Sequence, residues 1–337
     1  MATFSLPTTT RGVAKVAIDY RDDVVGYHHI VGWDWFRWSL VGVSFAVINS
    51  AYGRQSQGTV RFHLLDLLVS QYGVDMADHT DDLRLAHILA DDADSLTMSR
   101  FGARDLTVST KPDHSEVTDA DLAVEDSVRR TLSRMRSRDA VHGEERADTG
   151  DGPRRWIIDP IDGTANFLRG VPVWATLIAL SVEDQIVASV VSAPALKRRW
   201  WAARGSGAWS GKSLASATPI HVSNVRNLAD AFLSYSSLHG WVESGQGRGF
   251  GELMRSVWRT RAFGDFWSYM MVAEGVVDVA CEPELSLHDM AALDAIVTEA
   301  GGKFTGLDGK DGPWSGNALA SNGFLHDQAL AMVQPQE

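Results

Sequence analysis

The sequence predicts a mixed α/β protein with two subdomains. Short apolar runs of strand type alternate along the chain with segments whose apolar residues recur at helical spacing. In the C-terminal third this alternation is repeated several times, which is typical of α/β units. The chain has 337 residues, of which 45% are hydrophobic and 22% charged, so it has the length for two or three domains and the composition of a globular protein.

The first 75 residues differ from the rest of the chain. They have no helical or alternating apolar period, but they contain a dense group of aromatic residues: Tyr27, Trp33, Trp35, Phe36 and Trp38. We interpret residues 1–75 as an N-terminal extension of unknown role, which need not be native if translation starts at Met76. The aromatic residues argue against a purely disordered tail. We assign residues 76–215 to an N-terminal α+β subdomain and residues 216–337 to a C-terminal α/β subdomain.

Two helices are predicted near the start of the N-terminal subdomain. The first carries Leu83, Ala86, His87 and Ala90 on one face, and Thr80 followed by two aspartates is its expected N-cap. The second begins after Thr118, where an aspartate-rich first turn leads into an apolar face. Between them, residues 110–113 predict a turn, and the charged stretch 129–155 predicts a helix end followed by a solvated loop.

Strands are expected in the middle of the chain. The run Trp156-Ile157-Ile158 should end at Asp159-Pro160, because proline has no N–H for the strand ladder. Further strands are predicted at 173–182, 185–193, 199–203, 231–235, 262–263 and 276–281. Helices are predicted at 251–258, 266–273 and 289–300, the last of them closed by Gly301-Gly302.

Charge and cysteine content exclude several classes of function. The formal net charge of −12 repels nucleic acid and anionic membranes, so we expect neither as a partner. The longest apolar run, at residues 40–48, is far shorter than the roughly 20 residues that span a bilayer. The single cysteine, Cys281, excludes an intramolecular disulfide and is expected in the core. We therefore expect a cytoplasmic protein with a small-molecule substrate.

The most informative segment is Asp159-Pro160-Ile161-Asp162-Gly163-Thr164. A turn at Pro160 brings two carboxylates together, and the carbonyl of Ile161 adds a third oxygen. Such oxygen donors suit Mg²⁺ or Mn²⁺ better than zinc. The backbone N–H groups at Gly163 and Thr164 are placed to hold a phosphate. An isolated pair of aspartates in a turn usually caps a helix, so the assignment depends on the other acidic elements of the chain.

Three elements in this order resemble the inositol monophosphatase superfamily. They are G-E-E at 143–145, W-I-I-D-P-I-D-G-T-x-N-F at 156–167, and D-x-A-A-x-x-x-I-V-x-E-A-G-G at 289–302. The resemblance extends from about Met76 to the C-terminus. It implies the fold of the inositol monophosphatase and fructose-1,6-bisphosphatase type, with alternating α-β-α-β-α layers, and it implies that the chain is a phosphoric monoester hydrolase.

The resemblance also implies roles for individual residues. The metal ligands would be Glu144, Asp159, the carbonyl of Ile161, Asp162 and Asp289, which would bind two or three Mg²⁺ ions, with Mn²⁺ as a substitute. The amides of Gly163 and Thr164 would hold the phosphate. Asp121, Glu144 and Thr164 would orient and activate the water that attacks phosphorus, without a covalent enzyme intermediate. Members of the family commonly form homodimers, so we expect a homodimer.

Further segments resemble the bacterial histidinol-phosphatases of this fold. They lie at 110–113, 117–121, 169–174, 198–202, 235–237, 258–267 and 282–285. This branch converts L-histidinol phosphate to L-histidinol in histidine biosynthesis. Because that substrate carries an ammonium group and an imidazole, we predict substrate contacts from the carboxylates of Asp265, Glu282 and Glu284. The alternatives are a phosphatase for inositol 1-phosphate or another small sugar phosphate, and a non-catalytic protein that retains the fold.

Overall fold

The computed structural model describes the backbone of residues 2–5, 15–21 and 24–26, and backbone and side chains of residues 79–111 and 116–334. The chain divides into two units, Met1–Met76 and Ala77–Glu337. Within the first unit, strands β1 (Ala2–Ser5), β2 (Lys15–Arg21) and β3 (Val24–Gly26) form an antiparallel sheet. The aromatic residues between 27 and 38 lie outside the described residues.

The second unit contains a seven-stranded sheet. Its strands are β6 (Ala140–Gly143), β7 (Arg154–Asp162), β8 (Ala175–Val182), β9 (Gln185–Ala193), β10 (Arg198–Ala203), β11 (Ala208–Gly211) and β12 (Thr218–Ile220). They lie in sequential order across the sheet, and β6 runs parallel to β7 whereas the other neighbours are antiparallel. The sheet thus extends past the subdomain boundary that we predicted at residue 215. A separate hairpin pairs β4 (Val108–Thr110) with β5 (Glu116–Thr118).

A five-stranded sheet follows. Its strands are β13 (Phe232–Ser234), β14 (Arg259–Arg261), β15 (Val279–Glu282), β16 (Lys303–Thr305) and β17 (Ala318–Ser321), in the order β14-β13-β15-β17-β16. The helices of this unit are α1 (Thr80–Arg100), α2 (Asp119–Met135), α3 (Thr164–Leu168), α4 (Leu238–Glu243), α5 (Gly247–Ser256), α6 (Asp265–Ala273), α7 (Leu287–Glu299) and α8 (His326–Val333). No helix among the described residues is long and apolar enough to cross a membrane.

The second unit has five layers, held together by three large hydrophobic cores. Helices α1 and α2 pack on one face of the seven-stranded sheet, where Leu89 and Val128 share a core with Trp156. Helices α6 and α7 lie between the two sheets. Helices α4, α5 and α8 cover the far side of the five-stranded sheet, in a core that includes the buried Cys281. The predicted α-β-α-β-α layering is therefore confirmed.

Most predicted elements are present, with some errors at their ends. Helix α1 starts at Thr80 with His79 at the N-cap position, whereas we expected Thr80 to be the cap. The stretch 129–155 contains strand β6 and the start of β7, so it is not simply a helix end and a loop. Strand β14 ends at Arg261, before the predicted strand at 262–263. The turn predicted at 110–113 lies partly outside the described residues.

Candidate metal centre and active site

Strand β7 does not stop at Pro160, contrary to our prediction. The strand continues to Asp162, and its pairing with β8 shifts register between Asp159 and Asp162. The irregularity accommodates the missing N–H of proline, while the Pro160 carbonyl accepts a hydrogen bond of 2.8 Å from Thr176 Oγ1. The carboxylates of Asp159 and Asp162 are thereby directed to the same end of the strand.

Gly163 and Thr164 form the turn that follows. Gly163 is left-handed, with φ of 81°, and a Cβ there would lie 3.0 Å from the Val173 carbonyl oxygen. Only glycine is accommodated without strain in this position. Helix α3 begins at Thr164, whose hydroxyl donates a hydrogen bond of 2.9 Å to the Ile161 carbonyl. That carbonyl retains a second lone pair, so the contact does not exclude Ile161 as a metal ligand.

Asp289 joins the two aspartates of β7 from the other side of the site. It lies in the first turn of α7, where its Oδ2 accepts a hydrogen bond of 2.7 Å from the backbone N–H of Ser286. One carboxylate oxygen from each of Asp159, Asp162 and Asp289 lies within 4.8 Å of the other two. The structure therefore brings together three of the predicted metal ligands, although Asp289 is more than 120 residues away from the others in sequence.

The electrostatics of this aspartate cluster are unfavourable without a cation. Burial raises the pKa of Asp159 well above its usual value, and the neighbouring charges of Glu144, Asp162 and Asp289 raise it further. Burial also raises the pKa of Asp162 well above its usual value, and the charges of Asp265 and Asp289 add to the shift. Asp159 Oδ1 is buried and has no hydrogen-bond partner among the described residues. A divalent cation coordinated by oxygen would satisfy this atom and offset the repulsion, so the residues fit the metal centre that the sequence predicts.

Glu144 follows strand β6, and its carboxylate contacts Lys111, which we did not predict as a site residue. Lys111 Nζ lies 2.6 Å from Glu144 Oε1 and 2.8 Å from Glu145 Oε1. Burial alone would lower the pKa of Lys111, but its hydrogen bonds to the two glutamates outweigh this effect and raise it. Lys111 is therefore a fixed positive charge at the rim of the acidic site.

Glu125 on α2 shapes the loop that carries Glu144. Its fully buried carboxylate accepts hydrogen bonds from the backbone N–H groups of Glu145, at 2.7 Å, and Arg146, at 3.1 Å. A Cβ at Gly143 would lie only 2.1 Å from Glu125 Oε1. The glycine of the G-E-E motif is therefore required by the close approach of Glu125.

Asp121 is buried at the N-terminus of α2. Its Oδ2 accepts a hydrogen bond of 2.8 Å from the backbone N–H of Thr118, which completes a capping box with the Thr118 side chain. Burial raises the pKa of Asp121 to about 6 although the contacts with Thr118 oppose this shift, and the charge of nearby Glu144 adds to it. The other oxygen, Oδ1, is buried without a partner among the described residues. Asp121 thus combines a structural role with a free acceptor beside Glu144.

Asp265 lies next to the aspartate cluster at the start of α6. It has a left-handed φ of 48°, and its backbone N–H donates a hydrogen bond of 2.7 Å to Ser236 Oγ. Asn166 Nδ2 donates a hydrogen bond of 2.9 Å to Asp265 Oδ2. Burial, with the charge of Asp289, raises the pKa of Asp265 to about 6. The following N–H, that of Phe266, donates a hydrogen bond of 2.9 Å to Asp162 Oδ2, which couples this segment to the cluster.

The other two predicted substrate contacts differ in their surroundings. Glu282, at the end of β15, is buried, and burial raises its pKa to about 8 while the hydroxyl groups of Ser236 and Tyr269 act in the opposite direction. Its Oε1 has no partner among the described residues. Glu284 is exposed, and neither glutamate lines the two clefts beside the site. The buried, unpartnered Oε1 favours Glu282 over Glu284 as a contact for a bound group.

Two clefts flank Glu144. The first has a volume of about 480 Å³, and its lining includes Glu144, Gly163, Thr164, Asn166 and Asp265. The second has about 570 Å³ and is lined by His142, Glu144, His288, Pro313, Trp314 and neighbouring residues. The phosphate-binding turn predicted at Gly163 and Thr164 opens only into the first cleft.

Comparisons with known proteins decide the family. A sequence model of the inositol monophosphatase family matches residues 79–336. A histidinol-phosphatase from Streptomyces coelicolor is 63% identical over 262 residues, which are 77% of this chain and 98% of that protein. The chain belongs to the inositol monophosphatase family. A histidinol-phosphatase from Mycobacterium tuberculosis is 57% identical over 254 residues, which are 75% of this chain and 98% of that protein.

Solved structures agree with this assignment. An inositol monophosphatase from Zymomonas mobilis superposes with a TM-score of 0.68 at 30% identity and covers 77% of this chain and 100% of that chain. The predicted fold and the prediction of a phosphatase are confirmed by these relatives. Enzymes of the inositol monophosphatase family depend on metal, in agreement with the cluster of Asp159, Asp162 and Asp289.

Several residues that shape the site could not be found from local sequence patterns. They are Lys111, Glu125, Asn166 and Ser236. Lys111 contacts a glutamate 33 residues away, and Asn166 contacts an aspartate 99 residues away. Asn166 lies within the motif at 156–167, but the motif does not indicate that the Asn166 side chain contacts Asp265.

Proposed function

We propose that this member of the inositol monophosphatase family hydrolyses L-histidinol phosphate to L-histidinol and phosphate with Mg²⁺ as cofactor. The observation that carries the proposal is the 63% identity to a histidinol-phosphatase over 98% of that protein's length. Two of the segments quoted for the histidinol-phosphatase branch, 235–237 and 258–267, contribute residues to the lining of the first cleft, in agreement with this substrate. In this proposal the enzyme acts in histidine biosynthesis in the cytoplasm, as a homodimer.

The cation site would be formed by five oxygen donors. They are the carboxylates of Glu144, Asp159, Asp162 and Asp289 and the carbonyl of Ile161, with room in the proposal for two or three Mg²⁺ ions or for Mn²⁺ in their place. Bound there, a divalent cation would neutralise the phosphate, lower the pKa of water and stabilise the leaving oxygen. The raised pKa of Asp159 and its unpartnered Oδ1 support this assignment.

The remaining steps would be carried out by backbone and side-chain groups of the protein. The backbone N–H groups of Gly163 and Thr164 would hold the phosphate at the end of the first cleft. Asp121, Glu144 and Thr164 would orient and activate the attacking water. Asp121 suits the part of base because its pKa of about 6 leaves it mostly ionised at neutral pH, next to Glu144.

The organic part of the substrate would extend from this turn along the first cleft. We propose that Asp265 and Glu282 bind the ammonium group, since the backbone N–H of Asp265 and the carboxylate of Glu282 both contact the Ser236 hydroxyl. Ion pairing with an ammonium group would lower the raised pKa values of both acids. Glu284 stays a prediction as a further contact.

A panel of substrates tests the proposal. Phosphate release is measured with Mg²⁺ for L-histidinol phosphate, inositol 1-phosphate, fructose 1,6-bisphosphate and 3′-phosphoadenosine 5′-phosphate, with excess EDTA as the control. We expect the highest kcat/KM for L-histidinol phosphate and no turnover in EDTA. Faster turnover of inositol 1-phosphate would assign the chain to the alternative specificity, and undiminished turnover in EDTA would exclude the metal mechanism.

A further inference from the structure

The charged residues that line the first cleft are all acidic. Among the described residues of this lining, Glu116, Glu144 and Asp265 carry charge, and there is no lysine, arginine or histidine. Glu144 is predicted to belong to the metal centre, which leaves Glu116 and Asp265 as the other charged residues of the lining. A cleft of this kind favours a bound group with positive charge.

One aromatic side chain, Phe263, is present in the same lining. It is half-buried and supported by two other rings, with its centroid 5.9 Å from that of Phe232 and 5.7 Å from that of Trp267. Both contacts are tilted, with interplanar angles of 56° and 59°. Packing against these rings limits the rotamers of Phe263, so the ring forms a preorganised aromatic surface in the cleft.

Phe263 is close in the chain to the groups that would bind the rest of the substrate. Asp265 follows two residues later, and a Cβ on Gly163 would lie 3.1 Å from Asp265 Oδ2. The phosphate turn, the carboxylate of Asp265 and the ring of Phe263 therefore line one continuous cleft. In L-histidinol phosphate the phosphate, the ammonium group and the imidazole are likewise joined through a short carbon chain.

We propose that Phe263 determines specificity by packing against the heteroaromatic ring of the substrate, which for the proposed function is the imidazole of L-histidinol phosphate. This inference depends on the proposed function and adds a residue to it. A neutral imidazole packs against the phenylalanine ring through aromatic contact, and an imidazolium gains a cation–π attraction as well. The acidic lining of the cleft favours the second form.

The second cleft is the competing location for the ring. It contains Trp314, which is 43% exposed, and a stacked pair of imidazoles, His142 and His288, with centroids 6.0 Å apart. Neither Gly163 nor Thr164 lines it. A monoester whose phosphate lies against that turn extends into the first cleft, and so the geometry favours Phe263 over Trp314.

The test compares a substrate that has the ring with one that lacks it. L-Alaninol phosphate retains the phosphate and the ammonium group of L-histidinol phosphate but has a methyl group in place of the imidazolylmethyl group. We expect Phe263→Leu to lower kcat/KM for L-histidinol phosphate by roughly 3- to 10-fold, the range of a single aromatic contact. The same substitution should leave kcat/KM for L-alaninol phosphate within about twofold. Phe263→Tyr should keep the wild-type preference for L-histidinol phosphate over L-alaninol phosphate, because tyrosine retains the aromatic ring.

Two matched substitutions serve as controls. Trp258→Leu removes a 62% exposed ring that contacts Phe232 but does not line the cleft, and Trp314→Leu removes the ring of the second cleft. Both should leave the ratio of the two kcat/KM values unchanged. Equal losses for both substrates in Phe263→Leu, or a loss of the ratio in Trp314→Leu, would overturn the assignment of Phe263.

If Phe263→Leu fails to fold, the ring contact can be tested with the wild-type protein. L-Histidinol should then inhibit turnover of 4-nitrophenyl phosphate at a concentration at least about threefold lower than L-alaninol does, because only the former carries the ring. Equal inhibition by the two alcohols would refute the ring contact. If wild-type protein does not hydrolyse L-histidinol phosphate at all, the proposed function fails. If it does and Phe263→Leu has no selective effect, only the inference about Phe263 fails.

Discussion

Replacing Asp159 by asparagine should stabilise the protein when Mg²⁺ is absent and destabilise it, relative to wild type, when Mg²⁺ is bound. The substitution retains the size of the side chain and removes one negative charge from a buried cluster whose oxygens lie within 4.8 Å of one another. At that separation, and at an effective dielectric constant of about 20, two like charges repel by about 3 kcal/mol. Partial protonation limits the repulsion, so we expect Asp159→Asn to raise the free energy of unfolding by about 1–3 kcal/mol in EDTA at pH 8.

With Mg²⁺ the sign of the effect should change. A cation present at a hundred times its dissociation constant stabilises the wild-type protein by about 2.7 kcal/mol. Asp159→Asn should lose most of this gain together with its turnover, which we expect to fall by orders of magnitude. The assay is urea unfolding followed by fluorescence, in EDTA and in Mg²⁺, alongside phosphate release.

Asp294→Asn is the matched control for this prediction. Asp294 lies on the same helix as Asp289, and burial raises its pKa to about 7, but it does not belong to the aspartate cluster. Its substitution should stabilise the protein at pH 8 both with and without Mg²⁺ and should not change turnover. If Asp159→Asn destabilised the protein in EDTA, or responded to Mg²⁺ like the control, the account of the cluster as a cation site would be wrong.

Two further predictions concern the surroundings of the cluster. In EDTA the free energy of unfolding should fall from pH 6.5 to 8.5, because burial raises the pKa of Glu145 to about 7 and that of Glu282 to about 8. The stability contributed by an acid whose pKa is raised in the folded state is lost as the pH rises through that folded pKa. Each group contributes at most about 1.4 kcal/mol per pH unit to this slope, and saturating Mg²⁺ should reduce it. Urea unfolding that shows rising stability in EDTA over this pH range would contradict the prediction. Gly143→Ala should lower turnover at least tenfold and weaken Mg²⁺ binding in calorimetry, because its Cβ would lie 2.1 Å from Glu125 Oε1 and would displace the loop that carries Glu144. Gly251→Ala, at a helical glycine whose Cβ would make only an ordinary contact of 3.6 Å with Arg255 Nη1, serves as the control for turnover and Mg²⁺ binding. Equal values for the two variants would refute the role of Glu125.

The layered fold and the aspartate cluster could be predicted because their signals are local. Helical spacing marks α1 and α2, and the segment from Asp159 to Thr164 contains three of the predicted metal ligands and the predicted phosphate turn within six residues. Asp289 could be assigned because it begins a motif of its own at the start of α7.

The errors arose where tertiary contacts override a local rule. We expected Pro160 to end its strand, but a register shift against β8 accommodates the proline and the ladder continues to Asp162. The neighbours of the site were missed for a related reason. Glu125 and Lys111 act through contacts that span 20 and 33 residues, and no periodic pattern in the sequence indicates such pairs. Phe263 was assigned to a strand, whereas it follows β14 and lines the cleft.

Anomalous diffraction from crystals grown with Mn²⁺ and inorganic phosphate tests the central claim most directly. Manganese scatters anomalously and replaces Mg²⁺ at oxygen sites. The account predicts at least one manganese peak in contact with carboxylate oxygens of Asp159, Asp162 and Asp289, with phosphate density against the backbone of Gly163 and Thr164. A well-ordered crystal that shows no manganese at these three aspartates, or phosphate bound away from this turn, would contradict it.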